Sequence, residues 1–113
     1  MTGADAPTWL TERCPAWCAR THREEDHPED RYHQSEPALF PAVAAAADTV
    51  PVTASLRPMT LGVRLGRHLG APLTWVAVES AEARQPRLVL TEESARVLLD
   101  ELGRQLALLG APP

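Results

Sequence analysis

The chain contains no lysine, no isoleucine and no asparagine, and only three Trp, one Tyr and one Phe stand among its 113 residues. The three missing types are those with AT-rich codons, while Ala, Pro, Arg and Leu abound. Genomic GC bias explains this better than a functional exclusion of lysine. Scarce aromatics leave packing to Leu, Val and Ala, with the tryptophans as the few bulky anchors. A chain of this length buries roughly 65 % of its unfolded surface, so one domain with a thin core is expected. Long apolar runs are missing too. The longest, residues 38–47, contains Pro41 and is too short to span a bilayer. Residues 1–10 lack a basic region followed by an apolar one, so no secretory signal is expected and the protein reads as soluble and cytoplasmic. A basic stripe is also lacking. Net charge is −4, with eight acids against four arginines in residues 1–36 and seven against seven thereafter. That balance disfavours nucleic-acid binding, although Arg57, Arg64 and Arg67 could form a small positive patch.

What the chain does hold is a cluster of metal-ligand types. Cys14, Cys18, His22, His27 and His33 fall within twenty residues, and only His68 lies elsewhere. In a reducing compartment, two cysteines four apart read as metal ligands rather than a structural disulfide. Thiolate plus imidazole suits zinc, which takes four such ligands in a tetrahedron. Pro15 fits the first position of a helical turn after Cys14. On a straight helix Cys14, Cys18 and His22 would be collinear and could not close a tetrahedron, so the chain must bend and return a fourth ligand. His33, eleven residues beyond His22, is favoured over His27, which is only five away and precedes Pro28. Asp26, Asp30 or Glu36 could support a ligating imidazole. Four protein ligands leave no open position for a catalytic water. No serine has a recognisable nucleophile context, and no phosphate-binding glycine loop is present.

The expected organisation is a flexible N-terminus (1–13), a zinc-binding segment (14–36) and an α+β body (37–113), forming one domain overall. The middle segment has almost no aliphatic residues and cannot build a core of its own. Alternation predicts strands over Val50–Leu56 and Met59–Leu65, a central strand over Leu73–Val78 and a short one over Arg87–Leu90. Thr91 as N-cap, Glu92 and Glu93 in the first turn, and apolar residues from Ala95 to Leu109 predict a C-terminal helix ended by Gly110 and Pro112. The fold class is therefore α+β. A small antiparallel sheet of three or four strands is expected to carry the helix on one face and the zinc-bound Cys/His segment at its N-terminal side. Trp17, between the cysteines, is the expected packing anchor of the metal loop, and Gly103 inside the helix suggests close approach of a neighbouring element.

The run Cys14-Pro15-Ala16-Trp17-Cys18-Ala19-Arg20-Thr21-His22, the later Tyr32-His33-Gln34-Ser35-Glu36 and the Leu90–Leu98 helix start resemble an uncharacterised family of small actinobacterial proteins. The resemblance covers most of the chain, implies Cys14, Cys18, His22 and His33 as ligands, and implies no activity. The function expected is a non-catalytic, zinc-stabilised interaction module, such as an accessory to a transcriptional regulator, with a protein partner or a second copy of itself. The alternatives are a zinc enzyme with an open coordination position and Glu24, Glu25 or Asp26 as general base, and a nucleic-acid-binding protein.

Overall fold

A computed structural model describes residues 6–45, 56–82 and 86–110. Strands β1 (Tyr32–Gln34), β2 (Ala38–Ala45), β3 (Leu56–His68), β4 (Trp75–Ser80) and β5 (Pro86–Thr91) form one antiparallel sheet, and helix α1 (Glu92–Ala107) follows β5 directly. The class is α+β, with a five-stranded sheet where alternation alone predicts three or four strands. Both additional strands, β1 and β2, lie in sequence without period-two patterning. The expected strand from Val50 falls on residues outside those described, except that Leu56 opens β3.

The long β3 organises the sheet. Its far half pairs with β1 (His33 opposite Arg67), its near half with β2 (Phe40 opposite Leu61), and its other edge with β4. From Gln34 opposite Gly66 to Ala38 opposite Val63, one side advances four residues and the other three. Ser35–Pro37 is thus a one-residue bulge between β1 and β2. It is pinned by Ser35 N–H on Leu65 O (3.0 Å) and by Leu65 N–H on Ser35 Oγ (2.8 Å). Pro41 is tolerated because β2 is an edge strand bonded only to β3.

Paired residues share a face, so Leu61, Val63, Leu65, Val76 and Val78 look one way, together with His33 and Arg67. The opposite face carries Gly62, Arg64, Gly66, Trp75, Ala77 and Glu79. Here Trp75 lies flat over Gly66, so closely that a Cβ on that glycine would fall 1.9 Å from the indole ring. Beside it Arg64 pairs with Glu79 at 2.6 Å, which removes Arg64 from any free positive patch.

α1 begins as its sequence predicts. Thr91 Oγ1 accepts the Ser94 N–H at 3.1 Å, and Arg96 bonds Glu92 across one turn at 2.8 Å. Glu92 N–H bonds Thr74 O at 2.9 Å, tying the first turn to the start of β4. Beyond those first turns the helix leaves the sheet, and none of its residues is buried. A Cβ on Gly103 would meet nothing within 4 Å, so none of the described elements approaches it. Among the described residues no helix is long and apolar enough to cross a membrane.

Candidate metal centre

The metal segment is shaped by one turn and one strand. Cys18 N–H bonds Pro15 O at 3.0 Å, closing a single turn over Pro15–Cys18. No helix continues from it. Ala19 N–H instead bonds Gln34 O at 2.9 Å, which carries the chain past the end of β1. The collinearity problem is solved by this bend. Cys14 and Cys18 flank the turn, His22 follows on the extended return, and His33 comes in from the middle of β1.

These four side chains converge. One donor atom from each of Cys14, Cys18, His22 and His33 lies within 4.8 Å of the others, close enough to hold a metal ion. His22 Nε2 is 3.6 Å from Cys18 Sγ. A tetrahedral ion with metal–sulfur near 2.3 Å and metal–nitrogen near 2.0–2.1 Å sets that separation at roughly 3.6 Å. The other edges of such a tetrahedron are roughly 3.3–3.8 Å, so closing on an ion draws the widest pair in by no more than about 1.5 Å. Both imidazoles are buried, and both thiols are half-buried and unpaired by any disulfide. The rings meet edge to face at 5.4 Å, and Trp9 closes over His22 from the other side at 5.5 Å.

Glu12 completes the arrangement, and sequence reasoning missed it. One carboxylate oxygen accepts the Gly70 N–H at 2.6 Å and the other lies 2.8 Å from His33 Nε2. A carboxylate only accepts, so the neutral ring carries its proton on Nε2 and its lone pair on Nδ1. That Nδ1 is buried without a hydrogen-bond partner, leaving it as the nitrogen free to bind. Carboxylate, imidazole and metal in series is the usual way a protein fixes a ligating ring. Nothing in Thr11-Glu12-Arg13 marks this residue, because its partners lie 21 and 58 positions away.

Without a metal, His22 and Cys14 are both held in their uncharged forms. Burial, then His33 and Arg20, hold His22 below the ordinary histidine value, so it is neutral at neutral pH. Burial and the neighbouring Cys18 push the Cys14 thiol up, so in the metal-free protein it stays protonated. Burial raises Glu12, but the Gly70 N–H and His33 outweigh it and leave the carboxyl below its usual range.

The remaining sequence-selected residues lie outside the cluster. His27 is exposed, and its Nδ1 accepts the Glu29 N–H at 3.4 Å, capping a 3-10 turn over Pro28–Asp30. Asp26 accepts the Arg23 N–H at 3.0 Å, and Asp30 offers its carbonyl to Arg20 at 3.2 Å. The support expected of Asp26, Asp30 or Glu36 for a ligand imidazole comes, for His33, from Glu12. Glu24 binds Thr8 through both oxygens, at 2.9 and 2.6 Å. Together with Trp9 Nε1–H on Arg23 O (2.8 Å), this ties residues 8 and 9 onto the segment, where composition alone leaves them loose. Trp17 lines a hollow with Leu65, Val76, Ala95 and Leu99, between the sheet and the start of α1, with Arg67 above its ring at 5.8 Å. His68 is exposed at the end of β3 and meets Tyr32 edge-on.

Residues 1–112 match the family described as a domain of unknown function, DUF6907, and the chain belongs to it. No curated protein and no solved structure matches the chain.

Proposed function

We propose that this protein is a non-catalytic interaction module whose N-terminal segment is held to the sheet by one structural zinc ion. The observation that carries the reading is the convergence of two thiols and two buried imidazoles from three separate stretches of chain. Two soft and two borderline donors in a tetrahedron favour zinc over harder divalent ions. All four positions are taken by protein atoms, which argues for a structural ion over a catalytic one with a bound water. Two of the three general-base candidates of the enzyme reading are engaged elsewhere, Glu24 on Thr8 and Asp26 on a turn N–H. The ion would order a stretch that lacks aliphatic residues and present the sheet and α1 to a protein partner, whether a second copy or another chain such as a transcriptional regulator.

Metal analysis by mass spectrometry on wild type, Cys18→Ser, His33→Ala and His27→Ala tests this. One zinc per chain is expected in wild type and His27→Ala, with loss or strong weakening in the other two. Far-UV circular dichroism should keep its strand and helix signal throughout, because β2–β5 and α1 contain no ligand. A cobalt-substituted sample should show a four-coordinate S2N2 spectrum that added anions leave unchanged. A spectrum that shifts with anions would refute the closed site and restore the enzyme reading.

A further inference from the structure

The metal segment does not explain why the body is so open. The chain exposes 8502 Å², whereas a monomer of 12.3 kDa exposes about 6,100 Å². Its radius of gyration is 17.8 Å against about 13 Å for a compact chain of this length. The excess, about 2,400 Å², lies at the upper end of the roughly 1,000–2,500 Å² that each subunit of an obligate homodimer removes from water.

The most regular apolar surface left open is on α1. Ala95, Leu99, Leu102, Leu106 and Leu109 follow one another at spacings of four, three, four and three. That is the repeat of a helix built to pack along a second helix. The four leucines are 70, 52, 63 and 82 % exposed, so the described residues leave more than half of each uncovered, although Leu99 also borders the Trp17 hollow. Gly103 stands beside this seam with open space around it. It weakens the helix and serves no contact among the described residues, but it would let a second backbone come close. Arg96 and Arg104 are already paired with Glu92 and Glu101 on their own helix, so no unpaired cation has to be buried along the seam.

We infer that α1 is the dimerisation element of this protein, and that its occupant is α1 of a second copy, packed seam to seam about a two-fold axis. A repeat that presents the same apolar residue types along its whole length is self-complementary, as a two-fold interface requires. The inference rests on the reading of the chain as an interaction module and names its partner, but it does not depend on the metal.

Light scattering coupled to size-exclusion chromatography, on the full zinc-loaded chain from 5 to 200 µM, tests it. The expected mass is twice 12.3 kDa. The double variant L102E/L106E should run at the monomer mass while keeping one zinc per chain. Arg104→Glu, off the seam, should remain a dimer. Hydrogen exchange on wild type should show protection of 98–107 that falls on dilution, which reads the seam even if the double variant fails to fold. A wild-type monomer at every concentration, or a double variant that stays dimeric with its zinc, overturns the proposal. In the first case the seam belongs to a different protein. Metal content measured on the same samples separates this failure from failure of the zinc reading.

Discussion

Glu12→Gln is the most informative single change, because the two groups facing Glu12 are both donors. The carboxylate accepts Gly70 N–H on one oxygen and His33 Nε2–H on the other. An amide of the same shape has one accepting oxygen and one NH2, so it satisfies only one partner and sets N–H against N–H at the other. If it keeps Gly70, His33 escapes the clash only by moving its proton to Nδ1, the nitrogen the metal needs. Losing one hydrogen bond to a charged group costs about 1.5–3 kcal/mol. Glu12 remains 29 % exposed, so solvent screens part of this and the lower half of that range applies. At about 1.4 kcal/mol per tenfold, zinc should bind roughly 10- to 30-fold more weakly, within the span measured for carboxylates that support ligating histidines. Competition with a chelating dye at pH 7.5 reads this directly, with Glu24→Gln, whose carboxyl accepts hydrogen bonds from Thr8 and lies outside the cluster, as a control. Affinity within about threefold of wild type for Glu12→Gln would refute the assigned tautomer and with it the role of His33 Nδ1.

Two further outcomes are expected. Zinc affinity should climb with pH, because both thiols release protons on binding and Cys14 is held above its usual value by burial and by Cys18. Two protons give about a hundredfold per pH unit between roughly pH 6.5 and 8, and chelator competition showing less than tenfold would contradict two-thiolate ligation. The metal-free protein titrates in both directions. Lowered His22 contributes stability that is lost as pH falls below the ordinary histidine value, and raised Cys14 contributes stability that is lost as pH rises above the ordinary thiol value. Its melting temperature should therefore peak between roughly pH 6.5 and 8.5. Gly66→Ala should cost about 3 kcal/mol, because the new methyl falls 1.9 Å from the Trp75 ring. Calorimetry should show Tm lower by roughly 10 °C, and a change under about 2 °C would mean that Trp75 moves aside freely.

Much of this architecture can be read from local patterns, and the gaps follow from what local patterns omit. Helix α1 announces itself through Thr91, two glutamates and a leucine repeat, all within one segment. The Cys/His cluster is legible because unusual side chains stand close together in a stretch with nothing to bury them against, and because loop length separates His33 from His27. β1 and β2 are hidden, since β1 has only three residues and β2 is an Ala- and Pro-containing edge without alternation. Both exist because β3 offers them thirteen residues of hydrogen-bonding edge. Glu12 is hidden for a related reason. Its meaning depends on Gly70 and His33, which only the folded chain brings to it. The open flank of α1 is likewise invisible in a pattern that reads the same whether the helix covers its own sheet or meets a second helix.

The distribution of buried groups ties the metal to the fold. Residues of the sheet interior such as Met59 and Ala77 are small in number, and the largest fully buried side chain described is the His33 imidazole. His22 and His33 each hide an Nδ1 without a protein partner, and leaving such a group unmet costs about 1–3 kcal/mol. In a domain whose whole stability is about 5–15 kcal/mol, two such penalties where a core should be weigh heavily on a segment with almost no aliphatic residues. A bound tetrahedral ion would reverse the sign at His33, using the buried lone pair as a bond, and would join both cysteines to the same point. Glu12 orients one ring, Trp9 closes over the other, and the turn at Pro15 sets the thiols apart. A stretch that cannot fold by burying hydrocarbon gathers its Cys and His side chains instead, on the sheet face that also receives Trp17 and the first turns of α1.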